Sequence, residues 1–251
     1  MAVTGLGLPP SVRACLFDLD GVLTRTAEVH ARAWKRTFDE LLRELSAGTG
    51  EPFRGFDPVR DYDLYVDGKP RDDGTRSFLA ARGIHLPEGR DGDPAGAHTV
   101  HGLGRRKNDL LLELLRRQGV HVYPGSLRYL RAVRERGLRS AVVTSSQNSG
   151  EVLAAAGIAE LLEARVDGLV SAAEGLRGKP APDTYLHAAE LVGSPPGRAA
   201  VFEDALSGVE AGRAGGFGLV VGVDRAGQAD LLARHGADRV VGDLGDLLGG
   251  T

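Results

Sequence analysis

Short apolar runs alternate with helical segments through the second half of the chain, and this pattern restricts the fold more than any other feature. Strands are predicted at 138–143, 199–202, 217–221 and 239–241, with helices between them. A further short strand is predicted at Val166 to Val170. Strands that alternate with helices form a parallel sheet covered by helices on both faces. The predicted fold class is therefore α/β.

An isolated apolar run, Ala14 to Phe17, precedes the alternating region by more than a hundred residues. A run that is apolar throughout is typical of a parallel strand buried on both faces. The residues in between are largely helical and too numerous for one crossover connection. We therefore predict a core domain of residues 1–24 plus 118–251, interrupted by an α-helical cap domain of residues 25–117.

Local signals predict details of the connecting segments. A helix is predicted from Thr75 to Arg82, where Gly83 stops it. The glycines, prolines and aspartates of Pro87 to Gly104 predict a loop. Ser126 is expected to cap the helix that follows it, because a serine hydroxyl can accept a hydrogen bond from the first helical turn.

Composition excludes several classes of function. The net charge of −3 provides no basic surface for nucleic acid. A single cysteine, Cys15, rules out an intrachain disulfide and a zinc site built from cysteines. The chain contains no apolar stretch long enough to cross a membrane. Residues 1–10 do not resemble a signal peptide, so we expect a cytoplasmic protein.

Four polar clusters stand next to separate core elements. Asp18 and Asp20 follow the first strand, and Glu203 and Asp204 follow the strand at 199–202. The other two clusters are Thr144-Ser145-Ser146, after the strand at 138–143, and Gly178-Lys179-Pro180, before a helix. In an open parallel sheet the carboxyl ends of the strands form the ligand crevice. Each cluster alone is an ordinary turn or helix cap, but all four in order predict one site.

The charges of these clusters predict which ligand the site takes. Asp18, Asp20, Glu203 and Asp204 together outweigh the single positive charge of Lys179 by three. Such a site would repel a phosphate dianion unless a hard cation binds there, and carboxylate oxygens suit Mg²⁺. A proton on Asp20 would remove the remaining excess. Thr144 would then supply a hydroxyl donor and Lys179 a point charge to phosphoryl oxygens.

The four clusters resemble, in order, the motifs of the haloacid dehalogenase superfamily. Members of that superfamily transfer phosphoryl groups through an aspartyl-phosphate, on a Rossmann-like sheet with an inserted helical cap. The runs Gly178 to Asp183 and Phe202 to Gly212 resemble the beta-phosphoglucomutase group within it. The run Thr26-Ala27-Glu28-Val29-His30, followed by Trp34, is a more specific match to the same group.

The resemblance implies a role for each matched residue. Asp18 would be the nucleophile and Asp20 the general acid/base, with Thr144 and Lys179 holding the transferring phosphoryl group. His30 and Thr26 would lie at the hinge and base of the cap. The implied Mg²⁺ ligands are Asp18, Asp20, Glu203 and Asp204. The residues implied to contact substrate are Thr26, Arg71, Ser145, Ser146 and Asn148.

The resemblance also implies the activity and leaves alternatives open. The expected reaction converts beta-D-glucose 1-phosphate to glucose 6-phosphate. A sugar-phosphate phosphatase with the same nucleophile and a non-catalytic binding module are the alternatives. Two positions depart from the mutases, because Arg25 replaces an acid and Gln147 replaces a phosphate-binding lysine. The expected partner is a small sugar phosphate, without nucleic acid or membrane, and the expected assembly is a monomer or weak homodimer.

Overall fold

The computed structural model of the chain describes residues 5–50 and 52–249, without the side chain of residue 49. The chain divides into two compact units. Unit 1 contains the residues up to Thr26, the segment Gly68–Pro70, and the residues from Val120 onward. Unit 2 contains Ala27–Asp67 and Arg71–Gly119. Residues 1–4, 51 and 250–251 of the predicted domains lie outside the described residues.

Unit 1 contains a parallel six-stranded sheet in the order β3-β2-β1-β4-β5-β6. The strands are β1 (Ala14–Phe17), β2 (Arg139–Val143), β3 (Ala164–Val166), β4 (Ala199–Glu203), β5 (Leu219–Val223) and β6 (Arg239–Val241). All four residues of β1 are buried, because β2 and β4 pair with it on either side. The sheet confirms the predicted α/β class, and β1 and β4 end side by side.

Helices fill the connections between the strands and build unit 2. They are α1 (Ala27–Thr49), α2 (Arg71–Ala81), α3 (Val100–Gln118), α4 (Pro124–Glu135), α5 (Ser149–Ala156), α6 (Gly168–Glu174), α7 (Asp183–Leu191), α8 (Leu206–Ala214) and α9 (Ala229–His235). Each helix within the described residues is too short or too polar to span a lipid bilayer.

Unit 2 is built around a cluster of aromatic rings. Trp34 and Phe38 stand one turn apart on α1, and their rings stack with centroids 5.0 Å apart. The ring of Phe78 on α2 lies 4.1 Å from that of Phe38, and Phe56 packs against both. Residues four apart share one helix face, so the apolar spacing in α1 determines which face is buried.

Helix α3 begins at Val100, so the prediction of a loop over Pro87 to Gly104 is wrong at its end. Thr99 caps α3, and its hydroxyl accepts a hydrogen bond from the amide of Gly102 at 2.9 Å. A Cβ at Gly102 would lie 2.4 Å from the carbonyl oxygen of Ala97. The glycine is therefore required by close packing inside the helix, and it does not mark a loop.

Two smaller predictions are also wrong. Helix α4 already begins at Pro124, a favoured first helical residue, and the hydroxyl of Ser126 donates to the carbonyl of Val22 at 2.7 Å. The predicted strand at Val166 to Val170 ends at its first residue. Asp167 stops it, because its carboxylate accepts hydrogen bonds from two amides of the first turn of α6.

Candidate active site

Asp18 follows β1 directly and is buried, with its amide donating to the carbonyl of Phe202 at 2.9 Å. The chain then turns at Gly21, whose φ is +95°. A Cβ at Gly21 would lie 1.7 Å from Oδ2 of Asp204. Only glycine therefore allows the turn after β1 to approach the acidic end of β4 so closely.

The ammonium of Lys179 joins two of the predicted carboxylates. Nζ donates to Oδ1 of Asp18 at 2.6 Å, to Oε1 of Glu203, and to the carbonyl of Val143 at 3.2 Å. These three acceptors match the three protons of an ammonium group. The side chain is almost fully buried, and so are both carboxylates. The structure thus brings together the predicted residues of three clusters around one cation.

Tyr185 on α7 also contacts this group, although the sequence analysis did not identify it. Its hydroxyl donates to Oε1 of Glu203 at 2.8 Å, and the amide of Ala205 donates to Oε2 at 3.3 Å. Burial, followed by the charge of Glu203, raises the pKa of Tyr185 well above its usual range, so the phenol remains a donor. The available signal in the sequence was its position: Tyr185 lies on the buried face of a helix that begins just after Gly178-Lys179-Pro180.

The carboxylate of Asp20 lies among threonines. The hydroxyl of Thr26 donates to Oδ1 of Asp20, and the hydroxyl of Thr144 donates to Oδ2 at 3.4 Å. Thr24, which the sequence analysis did not assign, has its hydroxyl 2.6 Å from that of Thr26 and 3.0 Å from the carbonyl of Leu19. The structure therefore groups Asp20 with hydroxyl groups and places Asp18 beside the ammonium.

The ligand set fits a hard divalent cation. Oxygen atoms of Asp18, Glu203 and Asp204 lie within 4.8 Å of one another, and all three side chains are buried. Burial, helped by Glu203 and Asp20, raises the pKa of Asp18 well above its usual range despite the opposing charge of Lys179. Burial opposes the charge of Lys179, but Asp18 and Glu203 outweigh it and raise the pKa of Lys179. One ammonium does not balance three buried carboxylates, so a further cation would stabilise the set.

The loop after β2 contains Ser145, Ser146 and Asn148. The hydroxyl of Ser145 donates to the carbonyl of Gly68 at 2.6 Å. The hydroxyl of Ser146 accepts from the amide of Asn148 at 3.2 Å, and its amide donates to the hydroxyl of Thr144 at 3.1 Å. This loop is therefore ordered by hydrogen bonds within itself and to the segment Gly68–Pro70.

The two positions that depart from the mutase pattern, Arg25 and Gln147, both lie in unit 1. The guanidinium carbon of Arg25 lies 5.1 Å from the ring centroid of Tyr123, and that of Arg225 lies 3.6 Å from the same centroid. Arg25 thus packs on an aromatic ring, which is a favourable position for a cation. Gln147 places its aliphatic stem beside Gly168, where a Cβ would lie 2.8 Å from Cγ of the glutamine.

The predicted residues His30 and Arg71 belong to unit 2. Nζ of the buried Lys107 lies 3.0 Å from Nδ1 of His30 and 5.0 Å from the ring centroid of Trp34. An ammonium at Lys107 would donate to Nδ1 of His30, which would leave Nε2 to carry the proton of a neutral ring. Arg71 is the first residue of α2, where its carbonyl accepts from the hydroxyl of Thr75 at 3.0 Å. Sequence reasoning missed Lys107, for which a lysine on a buried helix face was the signal.

Comparison with known proteins shows the family of this chain. The haloacid dehalogenase-like hydrolase family matches residues 12–216. A beta-phosphoglucomutase from Mycobacterium tuberculosis is 58% identical over 246 residues, which cover 97% of this chain and 94% of that protein. This chain belongs to the beta-phosphoglucomutase group of the haloacid dehalogenase superfamily. It is accordingly an enzyme of that superfamily.

Solved structures of the superfamily share the fold. A beta-phosphoglucomutase from Clostridium difficile has a TM-score of 0.71 at 22% identity, with 95% of this chain and 94% of that chain covered. The protein CbbY from Rhodobacter sphaeroides, solved in complex with phosphate, has a TM-score of 0.68 at 26% identity. In that pair, 94% of this chain and 96% of the other are covered.

Proposed function

We propose that this member of the haloacid dehalogenase superfamily interconverts beta-D-glucose 1-phosphate and glucose 6-phosphate through an aspartyl-phosphate on Asp18. The observation that carries the proposal is the buried contact between Asp18 and Lys179, beside a separate carboxylate, Asp20, held by hydroxyl groups. Two carboxylates in different surroundings can divide the work of nucleophile and general acid/base. The near full-length similarity to a mutase supports the choice of reaction.

Transfer to the enzyme forms a bond between a carboxylate oxygen of Asp18 and phosphorus and breaks the bond from phosphorus to the sugar oxygen. A carboxylate attacks without a base to activate it. Asp20 donates a proton to the departing sugar oxygen. In the opposite step a hydroxyl of glucose 1-phosphate attacks the phosphorus of phosphorylated Asp18, Asp20 takes the hydroxyl proton, and the carboxylate of Asp18 departs, which gives the bisphosphate. The bisphosphate then turns around, and transfer of its other phosphate to Asp18 releases glucose 6-phosphate and restores the phosphorylated enzyme.

Lys179 and Thr144 would position the phosphoryl group during both steps. Lys179 holds Asp18 in place at 2.6 Å and offsets the negative charge that gathers at the site. Positioning and charge stabilisation are most of what phosphoryl transfer requires from a protein. The resemblance assigns Thr144 to the same group, and its hydroxyl lies at the end of β2 beside Asp20.

Mg²⁺ is the proposed cofactor. Asp18, Asp204 and Glu203 would hold it, with Asp20 completing the set through its backbone carbonyl, as the resemblance implies. When bound, the cation offsets charge on the phosphoryl oxygens. The structure of the related CbbY in complex with phosphate supports a phosphate ligand for this chain.

Thr24 and Thr26 would keep Asp20 hydrogen-bonded in both of its protonation states. Three contacts link Leu19, Thr24, Thr26 and Asp20, but two hydroxyls supply only two protons. When Asp20 is protonated, it can donate to Thr26, Thr26 to Thr24, and Thr24 to the carbonyl of Leu19. When Asp20 is ionised, Thr24 donates to Thr26 and Thr26 to Asp20. Both states of a general acid/base are thus hydrogen-bonded, at the cost of one backbone contact.

The remaining predicted residues would bind the sugar and its second phosphate. We propose that unit 2 is the cap, with Arg71 binding the phosphate that does not react and His30 serving Asp20 at the hinge. Ser145, Ser146 and Asn148 would contribute from the loop after β2. A cytoplasmic location and a monomer or weak homodimer stay predictions.

The test is incubation with beta-D-glucose 1-phosphate, Mg²⁺ and a catalytic amount of glucose 1,6-bisphosphate. Glucose 6-phosphate should form in excess of free phosphate, and chelation should stop the reaction until Mg²⁺ is restored. Asp18→Asn should abolish the reaction with the fold intact. Release of free phosphate as the main product would instead establish the phosphatase alternative.

A further inference from the structure

The segment between β5 and α9, residues 224–228, lies outside the four polar clusters and is here called the β5 loop. The carboxylate of Asp224 accepts hydrogen bonds from the amides of Ala226 at 3.2 Å and Gln228 at 2.8 Å. An aspartate that accepts from amides a few residues further along the chain fixes the conformation of a turn. The side chains of the β5 loop therefore extend from an ordered backbone.

Arg225 attaches the β5 loop to the turn that follows β1. Its Nε donates to the carbonyl of Gly21 at 2.8 Å, and its Nη1 donates to the carbonyl of Gly242 at 2.8 Å. The guanidinium carbon also lies 3.6 Å from the ring centroid of Tyr123, a favourable position for a cation. The guanidinium is thus held in place while it binds the carbonyl of the residue that follows Asp20.

Gln228 attaches the same loop to the acidic end of β4. Its side chain is buried, and Nε2 donates to the backbone carbonyl of Asp204 at 3.1 Å. Gly21 and Asp204 approach each other closely, since a Cβ at Gly21 would lie 1.7 Å from Oδ2 of Asp204. The β5 loop therefore holds both sides of the contact between the turn after β1 and the end of β4.

These two sides carry the residues proposed to bind Mg²⁺. Oxygen atoms of Asp18, Glu203 and Asp204 lie within 4.8 Å of one another, and the resemblance implies that the backbone carbonyl of Asp20 completes the set. Mg²⁺ requires nearly ideal octahedral geometry, so its affinity depends on the separation of the two segments. Replacing a residue that holds a metal ligand by a hydrogen bond typically lowers metal affinity by roughly 10–100-fold.

We propose that Arg225 and Gln228 are positioning residues, which hold the turn after β1 and the end of β4 at the separation that Mg²⁺ requires. Each acts through a backbone carbonyl, that of Gly21 for Arg225 and that of Asp204 for Gln228. The proposal rests on the metal site of the function proposed above and extends that site to a loop that supplies none of its ligands.

Thermal denaturation at a series of Mg²⁺ concentrations, without substrate, tests the proposal. The melting temperature without Mg²⁺ measures stability, and the Mg²⁺ concentration that raises it measures affinity. Gln228→Met keeps the length of the side chain and removes the amide donor, while Arg225→Met removes the guanidinium. Both variants should need roughly tenfold more Mg²⁺ than the parent for the same rise. A structural role alone would lower the melting temperature without Mg²⁺ and leave the affinity unchanged.

Two control variants lose a comparable contact elsewhere in unit 1. Arg198→Met removes a guanidinium whose Nε donates to the carbonyl of Ser11 at 3.3 Å. Ser140→Ala removes a buried hydroxyl that donates to the carbonyl of Leu161 at 3.1 Å. Both controls should keep the Mg²⁺ affinity of the parent. Loss of a positive charge near a cation site would by itself strengthen cation binding, so weaker binding in Arg225→Met would reflect lost positioning.

Unchanged Mg²⁺ affinity in either variant would overturn the proposal, and so would an equal loss of affinity in the controls. Where a methionine variant does not fold, Gln228→Asn or Arg225→Lys replaces it, with the same expected direction. A parent protein that binds no Mg²⁺ would overturn the metal site together with this proposal. Release of free phosphate as the main product of the isomerisation assay would overturn only the mutase function.

Discussion

The ammonium of Lys179 lies 2.6 Å from Oδ1 of Asp18, and both side chains are almost completely buried. The same ammonium also contacts Glu203. Lys179 therefore supplies a positive counter-charge to both buried carboxylates. We therefore expect the stability of unit 1 and the proposed reactivity of Asp18 to depend on the same cation.

Lys179→Met should destabilise the protein and remove activity together. The substitution leaves Asp18 and Glu203 buried without their counter-charge, a change that typically costs about 3–5 kcal/mol. Urea denaturation measures the loss, and isomerisation measures activity. Lys35→Met is the control, since the Lys35 side chain is 42% exposed and its partner Asp39 keeps a second cation in Arg43, so this variant should lose less stability than Lys179→Met. A loss equal to that of the control would show that Lys179 does not stabilise the cluster.

Tyr185→Phe should lower both stability and activity. It deletes one hydrogen bond to Oε1 of Glu203 in a fully buried site, which we expect to cost about 1–2 kcal/mol. Tyr129→Phe is a matched control, because the buried hydroxyl of Tyr129 donates to the carbonyl of Leu6 at 3.0 Å. Both variants should lose stability in thermal denaturation, but Tyr185→Phe alone should reduce turnover. If the two variants had the same turnover, Tyr185 would be a structural residue only.

Thr24→Val should slow proton transfer by Asp20 while preserving the shape of the side chain. We expect turnover of glucose 1-phosphate to fall roughly tenfold or more, because the hydrogen-bond chain from Thr24 through Thr26 to Asp20 is interrupted. Hydrolysis of 4-nitrophenyl phosphate should change less, since its leaving group needs no proton. Thr37→Val removes a buried hydroxyl from α1, which donates to the carbonyl of Ala33, and serves as the control. Equal losses of turnover on the two substrates would argue against a role of this hydrogen-bond chain in proton transfer.

Asp63 should make the protein less stable as the pH rises through the acidic range. Burial, with the charge of Asp57, raises the pKa of Asp63 from 3.8 to about 6. Between these values the folded state holds a proton that the unfolded state has lost, so stability falls as the pH rises. Asp63→Asn should therefore be more stable than the parent by about 1 kcal/mol at neutral pH, a figure reduced for the partial exposure of the group.

Urea denaturation of both proteins at about pH 4 and about pH 7 measures this effect. The advantage of Asp63→Asn should be small at the lower pH and larger at the higher one. Asp91→Asn, at an exposed position of the same unit, controls for the change in net charge. An advantage that does not grow with pH would contradict the raised pKa of Asp63.

The strands and the residues of the four polar clusters could be predicted from the sequence because each has a local signal. β1 is a short apolar run followed by Asp18, and parallel strands bring their carboxyl ends together. The contacts of Tyr185, Thr24 and Lys107 depend on how distant segments pack, so the sequence indicates at most that a helix position is buried and does not indicate the partner. The loop prediction over Pro87 to Gly104 is wrong at Gly102 because a glycine required by close packing and a glycine in a loop look the same in a sequence.

Direct detection of a phosphorylated Asp18 is the decisive test of the proposed nucleophile. The unmodified protein is mixed with Mg²⁺ and glucose 1,6-bisphosphate, quenched in acid, and analysed by peptide mass spectrometry. We expect the added mass of one phosphoryl group on the peptide that contains Asp18, and its absence in Asp18→Asn. A phosphoryl group on another residue, or turnover that persists in Asp18→Asn, would contradict this expectation.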